Sequence, residues 1–354
     1  MSDTFKHGSL IAKVLTHSWR ASPSALETSI EELDIVAPML LESGAGALGW
    51  KRVSNSNLRN KPAAVELEQA YRLHSLQSAI HEREIGNALA LLRSAGVEPI
   101  LVKGWAMARL YPEVGLRPYG DLDLCVAPGD YRAARLALEK EANKTYTVDL
   151  HRGFKTLDDR SWDELFTHSR LSRLENVEVR VPSPEDHLRI LCFHFLREGA
   201  WRALWLCDIA VSLETRPADF DWERFSGKTG RRRRWFACAI ALAHQLLGAD
   251  MEGVPGTIRA EQLPSWLVPA VLKEWEVRSM SKRHKTPTGA AWRDPNQALK
   301  LDYFRSHWPN SIEATIGMNG PFNEMPRLPF QVGNCAVRAF NFLVRMPTRM
   351  ARGE

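Results

Sequence analysis

The chain has 354 residues, 44% hydrophobic and 25% charged, which excludes a disordered chain, a collagen and a coiled-coil rod. Lys and Arg number 47 against 42 Asp and Glu, so the balance suits an anionic partner but lacks the dense basic footprint of a dedicated nucleic-acid binder. The longest apolar run, Trp235 to Ala243, falls short of the ~18 residues of a membrane span; no leader pattern opens the chain, and the five cysteines form no CxxC pair. These features predict a cytoplasmic protein without a membrane partner.

In chain order, residues 1–20 are expected to be loosely ordered. From Ser24 to Leu41, apolar side chains recur at helical spacing (Leu26, Ile30, Leu33, Val36, Leu40). A polar, glycine-punctuated stretch over 43–62 precedes a long helical pattern from Ala63 to Ser94. The pattern changes at Gly96. Val97 to Val102 is a short strand ending in Lys103-Gly104, with a helix expected from Trp105. Asp121 to Val126 alternates polar and apolar, the period of a strand with one buried face. A helix over 130–140 follows, then short strands at Thr145–Leu150 and Val177–Val181. Ser183-Pro184-Glu185-Asp186 is a helix start: a serine cap, proline in the first turn, acids beside it. Further helices are expected over 200–214, 219–228, 234–248 and 264–278, an irregular stretch over 281–334, and a last short helix over 335–347. The fold class is α+β: a small mixed sheet over 96–182, flanked by helical regions 1–95 and 183–280, with a C-terminal extension 281–354.

Chemistry concentrates in 100–126. On a strand, Asp121 and Asp123 share one face while Leu122 and Leu124 enter the core. Adjacent carboxylates repel unless a cation lies between them, and hard oxygen ligands suit Mg²⁺ together with substrate phosphates. Gly104, without a side chain, lets a phosphate approach backbone N–H groups at a helix start, and Lys103 adds a point charge. Arg117 is placed to clamp a phosphate or to orient the acids. A third acid belongs on a neighbouring strand, with Asp149 first and Glu178 second. His151 is open to three roles: a nucleotide contact, a metal ligand or a structural hydrogen bond.

Taken together, strand-Lys-Gly-helix, then Leu-Arg-Pro-Tyr-Gly-Asp-Leu-Asp-Leu at 116–124 and Val-Asp-Leu-His at 148–151, resemble the uncharacterised nucleotidyltransferase family of the DNA-polymerase-β-like superfamily. Downstream, Pro184-Glu185-Asp186-His187-Leu188, Cys192-Phe193-His194, Trp201-Arg202 through Asp208-Ile209-Ala210, and Asp221-Trp222 continue the resemblance, which covers about 25–250. It implies transfer of a nucleoside monophosphate from a nucleoside triphosphate to an acceptor, with two Mg²⁺ ions held by three acids. Asp121 and Asp123 match the Asp-x-Asp pair, Asp149 the third acid and Gly104 the phosphate-loop glycine. The superfamily's usual Gly-Ser is Lys103-Gly104 here. The acceptor stays open among a peptide, a small molecule and RNA. Two alternatives remain: a catalytically silent binding protein for a peptide, protein or RNA, and a toxin-like tRNA nucleotidyltransferase.

Other features have plainer readings. His187 and His194 are expected to pack or cap, and Trp201, Trp205 and Asp208 to anchor the helices on the sheet. Gly227-Lys228-Thr229 is no P-loop, because Trp222 stands where the first glycine is needed. The run Arg231 to Arg234 reads as a solvated helix start or as a contact with an anionic acceptor.

Overall fold

The computed structural model describes residues 5–24, 26–140, 147–154, 156–227, 230–276 and 308–350. Four helices precede the sheet: α1 (Lys6–Leu15), α2 (Ile30–Glu42), α3 (Gly46–Val53) and α4 (Pro62–Ser94). The helix predicted from Ser24 starts at Ile30, because Ser29 caps it and Glu32 closes a capping box. Two expectations are corrected here. Residues 6–15, expected to be loose, are helical, and Leu10, Ile11, Val14 and Leu15 are buried. The polar stretch after residue 43 contains α3, whose Ala47, Leu48 and Val53 enter the core. Gly46 and Gly49 carry α3 close to its neighbours: a methyl group on either would come within 3 Å of a leucine side chain of α2.

The sheet runs β1 (Ile100–Val102), β2 (Asp121–Val126), β3 (Thr147–Arg152), with β1 antiparallel and β3 parallel to β2. The short helix α5 (Gly104–Ala108) follows β1, and α6 (Tyr131–Lys140) precedes β3. Within the sheet region two further elements appear: α7 (Trp162–His168), and β4 (Arg170–Leu174), which pairs antiparallel with β5 (Val177–Val181). The fold is therefore α+β with a small mixed sheet, as expected, plus a separate hairpin. Helix α4 joins two cores. Its first turns (Ala63, Ala64, Leu67) pack among helices, and its last (Ile85, Ala88, Leu89, Leu92) pack under Leu122, Leu124 and Val126 of the sheet.

Past the hairpin the chain is helical: α8 (Pro184–Arg197), α9 (Ala203–Glu214), α10 (Trp222–Ser226), α11 (Gly230–Leu247), α12 (Gly256–Arg259) and α13 (Leu267–Glu276). Helix α8 begins as read, with the Ser183 hydroxyl accepting from the Asp186 N–H. Part of the stretch expected to be irregular is the helix α14 (Ser311–Gly317), started by the Asn310 side chain, and the last helix α15 (Leu328–Met350) begins earlier than predicted. Of the rejected P-loop match, Lys228 and Thr229 lie outside the described residues. No helix among the described residues is long and apolar enough to cross a membrane.

Candidate functional site

Strand register builds the acidic side of the site. Asp123 is paired in register with Asp149, and Cys125 with His151, so residues 121, 123, 149 and 151 share one face of the parallel pair. Leu122 and Leu124 point the other way, into the core, which fixes that face. The His151 Nε2 lies 3.0 Å from Asp123 Oδ1 and 3.3 Å from Asp149 Oδ2. Asp123 is buried, whereas Asp149 and Asp121 are exposed.

The turn after β1 supplies the cation. Lys103 Nζ donates to Asp123 Oδ1 at 3.1 Å. Val102, just before it, pairs in register with Asp123, which brings the two side chains within reach. Lys103 has φ 54° and ψ −141°, and Gly104 has φ 35°. Two successive left-handed residues, one of them not glycine, are costly backbone that persists where the surroundings impose it. Gly104 abuts the start of β2: a Cβ there would stand 3.4 Å from the Asp121 carbonyl oxygen. The helix it opens, α5, has only five residues, so the expected dipole contribution is small; the bare backbone is what Gly104 offers.

Burial alone would push the Asp123 carboxyl up. The hydrogen bond from His151 and the Lys103 charge outweigh it, so Asp123 is held below the usual carboxylate range. Lys103 thus stands where a cation is required. The group Asp123, Asp149 and His151 offers three ligand atoms within 4.8 Å of one another. This is a fitting donor set for a divalent ion: two carboxylates and an imidazole, with a resident ammonium already drawn to the same oxygen. Asp121 is not in that group, although it lies on the same face and, with Asp123, lines the adjoining cavity; Asp149 and His151 stand beside that cavity and are not among its lining residues.

That cavity, about 300 Å³, opens between the Lys103–Gly104 turn, the 117–121 segment and helices α8 and α9. Arg117 lines the cavity and is engaged from within the chain. Its fork closes on Asp208 of α9, with Nη2 donating at 2.9 Å and Nε at 3.3 Å, and Tyr111 donates to the same carboxylate at 2.8 Å. Both Arg117 and Asp208 are buried, and a buried guanidinium requires such a counter-charge. Asp208 therefore anchors α9 to the site segment. His194 of α8 lines the cavity in its neutral form: burial and the nearby Lys103, opposed only by Asp123, push it down to about 3. His187 is likewise pushed down to about 3 by burial, with Arg109 and Arg117 adding to it.

Sequence reasoning gave no site role to Arg202, His194 or Trp205, all of which line the cavity. No local pattern marks them. They arrive from helices that follow the sheet, and only the packing of α8 and α9 on the 117–121 segment brings them in. The second candidate for the third acid, Glu178, sits on the separate hairpin and does not join the group. In the Arg231–Arg234 run, Arg232 pairs with Asp158, Arg234 with Glu261, and Arg231 donates to the Asn319 carbonyl, so these three are engaged within the chain.

Comparison with known proteins bears on this site directly. Residues 36–248 match the model of the family described as uncharacterised nucleotidyltransferase. No curated protein and no solved structure matched the chain. The match runs over more than half of the chain and takes in the sheet, the Lys103–Gly104 turn and every residue of the cavity, so the chain belongs to the uncharacterised nucleotidyltransferase family.

Proposed function

We propose that the protein is a Mg²⁺-dependent nucleotidyltransferase that moves a nucleoside monophosphate from a nucleoside triphosphate to a hydroxyl or phosphate acceptor. One observation carries the reading: Asp121 and Asp123 of β2 and the Lys103–Gly104 turn line one cavity, and β3 sets Asp149 in register beside Asp123. Asp123 and Asp149, with His151, are the residues that would hold a divalent ion, and Asp121 at the strand's exposed end would add a ligand for a second. Bound there, Mg²⁺ would neutralise charge on the phosphates and on the attacking oxygen.

The protein's own part is positioning and proton handling. An acceptor oxygen attacks the α-phosphorus, the bond from that phosphorus to the bridging α–β oxygen breaks, and pyrophosphate leaves. Asp149, exposed beside Asp123, takes the acceptor's proton. Gly104 leaves room for the triphosphate, and Lys103 exchanges its contact with Asp123 for a phosphate oxygen. His194, neutral and half-buried, lines one wall of the cavity without adding charge.

The test uses α-labelled nucleoside triphosphates, Mg²⁺ and a cell extract as the source of acceptor. Label should pass to an acceptor with the wild type and not with Asp123→Asn. Thermal denaturation with the same nucleotides checks binding apart from transfer. A wild type that neither transfers label nor gains stability with any of the four nucleotides and Mg²⁺ refutes the proposal.

A further inference from the structure

Three cations line the cavity: Lys103, Arg117 and Arg202. They are not equivalent. Arg117 is consumed by Asp208, which accepts from both its Nε and its Nη2. Lys103 is drawn to Asp123. Arg202 is different: its Nε donates to the Ser43 carbonyl at 2.6 Å and its guanidinium lies 5.7 Å from the Trp205 ring, yet no carboxylate among the described residues pairs with it. We propose that Arg202, rather than Arg117, is the arginine that receives the polyphosphate chain of the nucleotide, facing Lys103 across the cavity.

The inference rests on the nucleotidyltransferase reading and goes beyond it by assigning the anion-binding residue. Three observations and one general property converge. The fork is held in place, since a backbone carbonyl fixes one edge and an indole supports it, and little side-chain entropy remains to be lost on binding. The chain also makes room for it. Gly44 lies against the guanidinium, and a Cβ built there would fall 2.3 Å from Arg202 Nη2. The charge is compensated only at a distance, by Asp208 and Asp121, with no carboxylate in direct contact among the described residues. Burial, with Arg117 adding repulsion, drives the Arg202 pKa down to about 10, so an incoming anion relieves a penalty that a paired arginine would not carry. Finally, a planar fork meets two phosphate oxygens at once, the geometry polyphosphates offer.

Charge accounting agrees. Arg117 and Asp208 cancel, and the remaining acids of the cavity lie on its β2 side. A triphosphate entering from solvent therefore finds Arg202 as the cation without a carboxylate of its own, and Lys103 as the one able to leave Asp123.

The experiment is calorimetric binding of inorganic tripolyphosphate and of Mg²⁺-ATP to wild type, Arg202→Ala, Arg202→Lys and Arg83→Ala, the last an exposed arginine of α4 as control. Loss of a charge-assisted contact predicts binding of both anions weaker by about 10- to 100-fold in Arg202→Ala. Arg202→Lys should recover part of it, and Arg83→Ala all of it. Mn²⁺ affinity without nucleotide should be the same in Arg202→Ala as in wild type, which a general collapse of the site would not allow. Should the alanine variant fail to fold, Arg202→Gln removes the charge while keeping a donor near Ser43, and carries the same expectation. Wild-type affinity for tripolyphosphate in the folded charge-removal variant overturns the assignment and leaves the nucleotidyltransferase reading standing. A wild type that binds neither tripolyphosphate nor any Mg²⁺-nucleotide overturns that reading, and this inference with it.

Discussion

Replacing Asp123 by Asn separates the two things its carboxylate does. In the folded chain it accepts from Lys103 at 3.1 Å and His151 at 3.0 Å from a buried position. Hydrogen bonds to charged groups contribute about 1.5–3 kcal/mol each. The amide keeps an acceptor oxygen in the same place, and the Lys103 and His151 side chains are 25% and 28% exposed, so both can re-solvate. The net loss should be ~1–2 kcal/mol. Unfolding entropy near ~2 cal/mol/K per residue, over a chain of 354, turns this into a fall in Tm of about 1–3 °C. Ligand binding is the larger signal. At a nucleotide concentration 100 times Kd, Mg²⁺-nucleotide adds about 2.7 kcal/mol to the wild type, or ~4 °C. Without the Asp123 charge the donor set loses its buried carboxylate, and most of that increment should vanish. The assay is thermal unfolding of both proteins, each with and without Mg²⁺ and a non-hydrolysable nucleotide. A variant that keeps the full ligand increment refutes the role given to Asp123, whatever happens to its unliganded Tm.

Three further outcomes are expected. Arg117→Ala leaves Asp208 as a buried, unpaired carboxylate and should cost ~3–5 kcal/mol in denaturant unfolding; a phosphate-clamping Arg117 would instead leave stability intact and weaken nucleotide binding alone. Gly104→Ala puts a side chain at φ 35° beside the Asp121 carbonyl and should cost about 1 kcal/mol, with nucleotide affinity falling as well, both read in one calorimetric titration series. His187 and His194 are held neutral, at about 3 against an ordinary 6.5. The unfolded chain therefore takes up protons below pH 6.5 while the folded chain does not. The stability these histidines contribute is complete above 6.5 and drains away toward pH 3. The loss is roughly 2 kcal/mol for each between pH 7 and 5, and His187→Gln should flatten the fall of Tm with pH.

What could be read in advance follows from the range of the interactions. Strands β2 and β5 come out at the predicted residues, because alternation in Asp121–Val126 and Val177–Val181 is a local signal of a half-buried face. Helix α8 announces itself through Ser183-Pro184 for the same reason. Helix α3 does not, since Gly46 and Gly49 lower its local propensity and it is packing against α2 that favours glycine there. Strand β4 exists through its pairing with β5, and its sequence Arg-Leu-Ser-Arg-Leu holds no β-branched residue. The same division runs through the site. Lys103, Gly104, Asp121, Asp123, Asp149 and His151 fall within one stretch of the chain, on or beside strands whose pattern is local. The partner of Arg117 lies 91 residues away and Ser43, which holds Arg202, lies 159 away, so neither engagement has any local trace.

The cost of the Lys103 turn argues about its purpose. A lysine that only neutralised Asp123 could do so from an ordinary backbone, since its long stem reaches many positions. Here it is delivered from φ 54° and ψ −141°, followed by Gly104 at φ 35°, an arrangement that costs of order 1–3 kcal/mol. What the turn achieves is to lay bare backbone against the start of β2 and to hold a cation on Asp123 at the same point. Neither is needed for folding, because the sheet core beneath is complete with Leu101, Leu122 and Leu124. Stability would favour relaxing the turn and dispersing the acids. On the proposed nucleotidyltransferase reading both have a use, because the cation over Asp123 would then be exchanged: ammonium without ligand, divalent ion and polyphosphate with it.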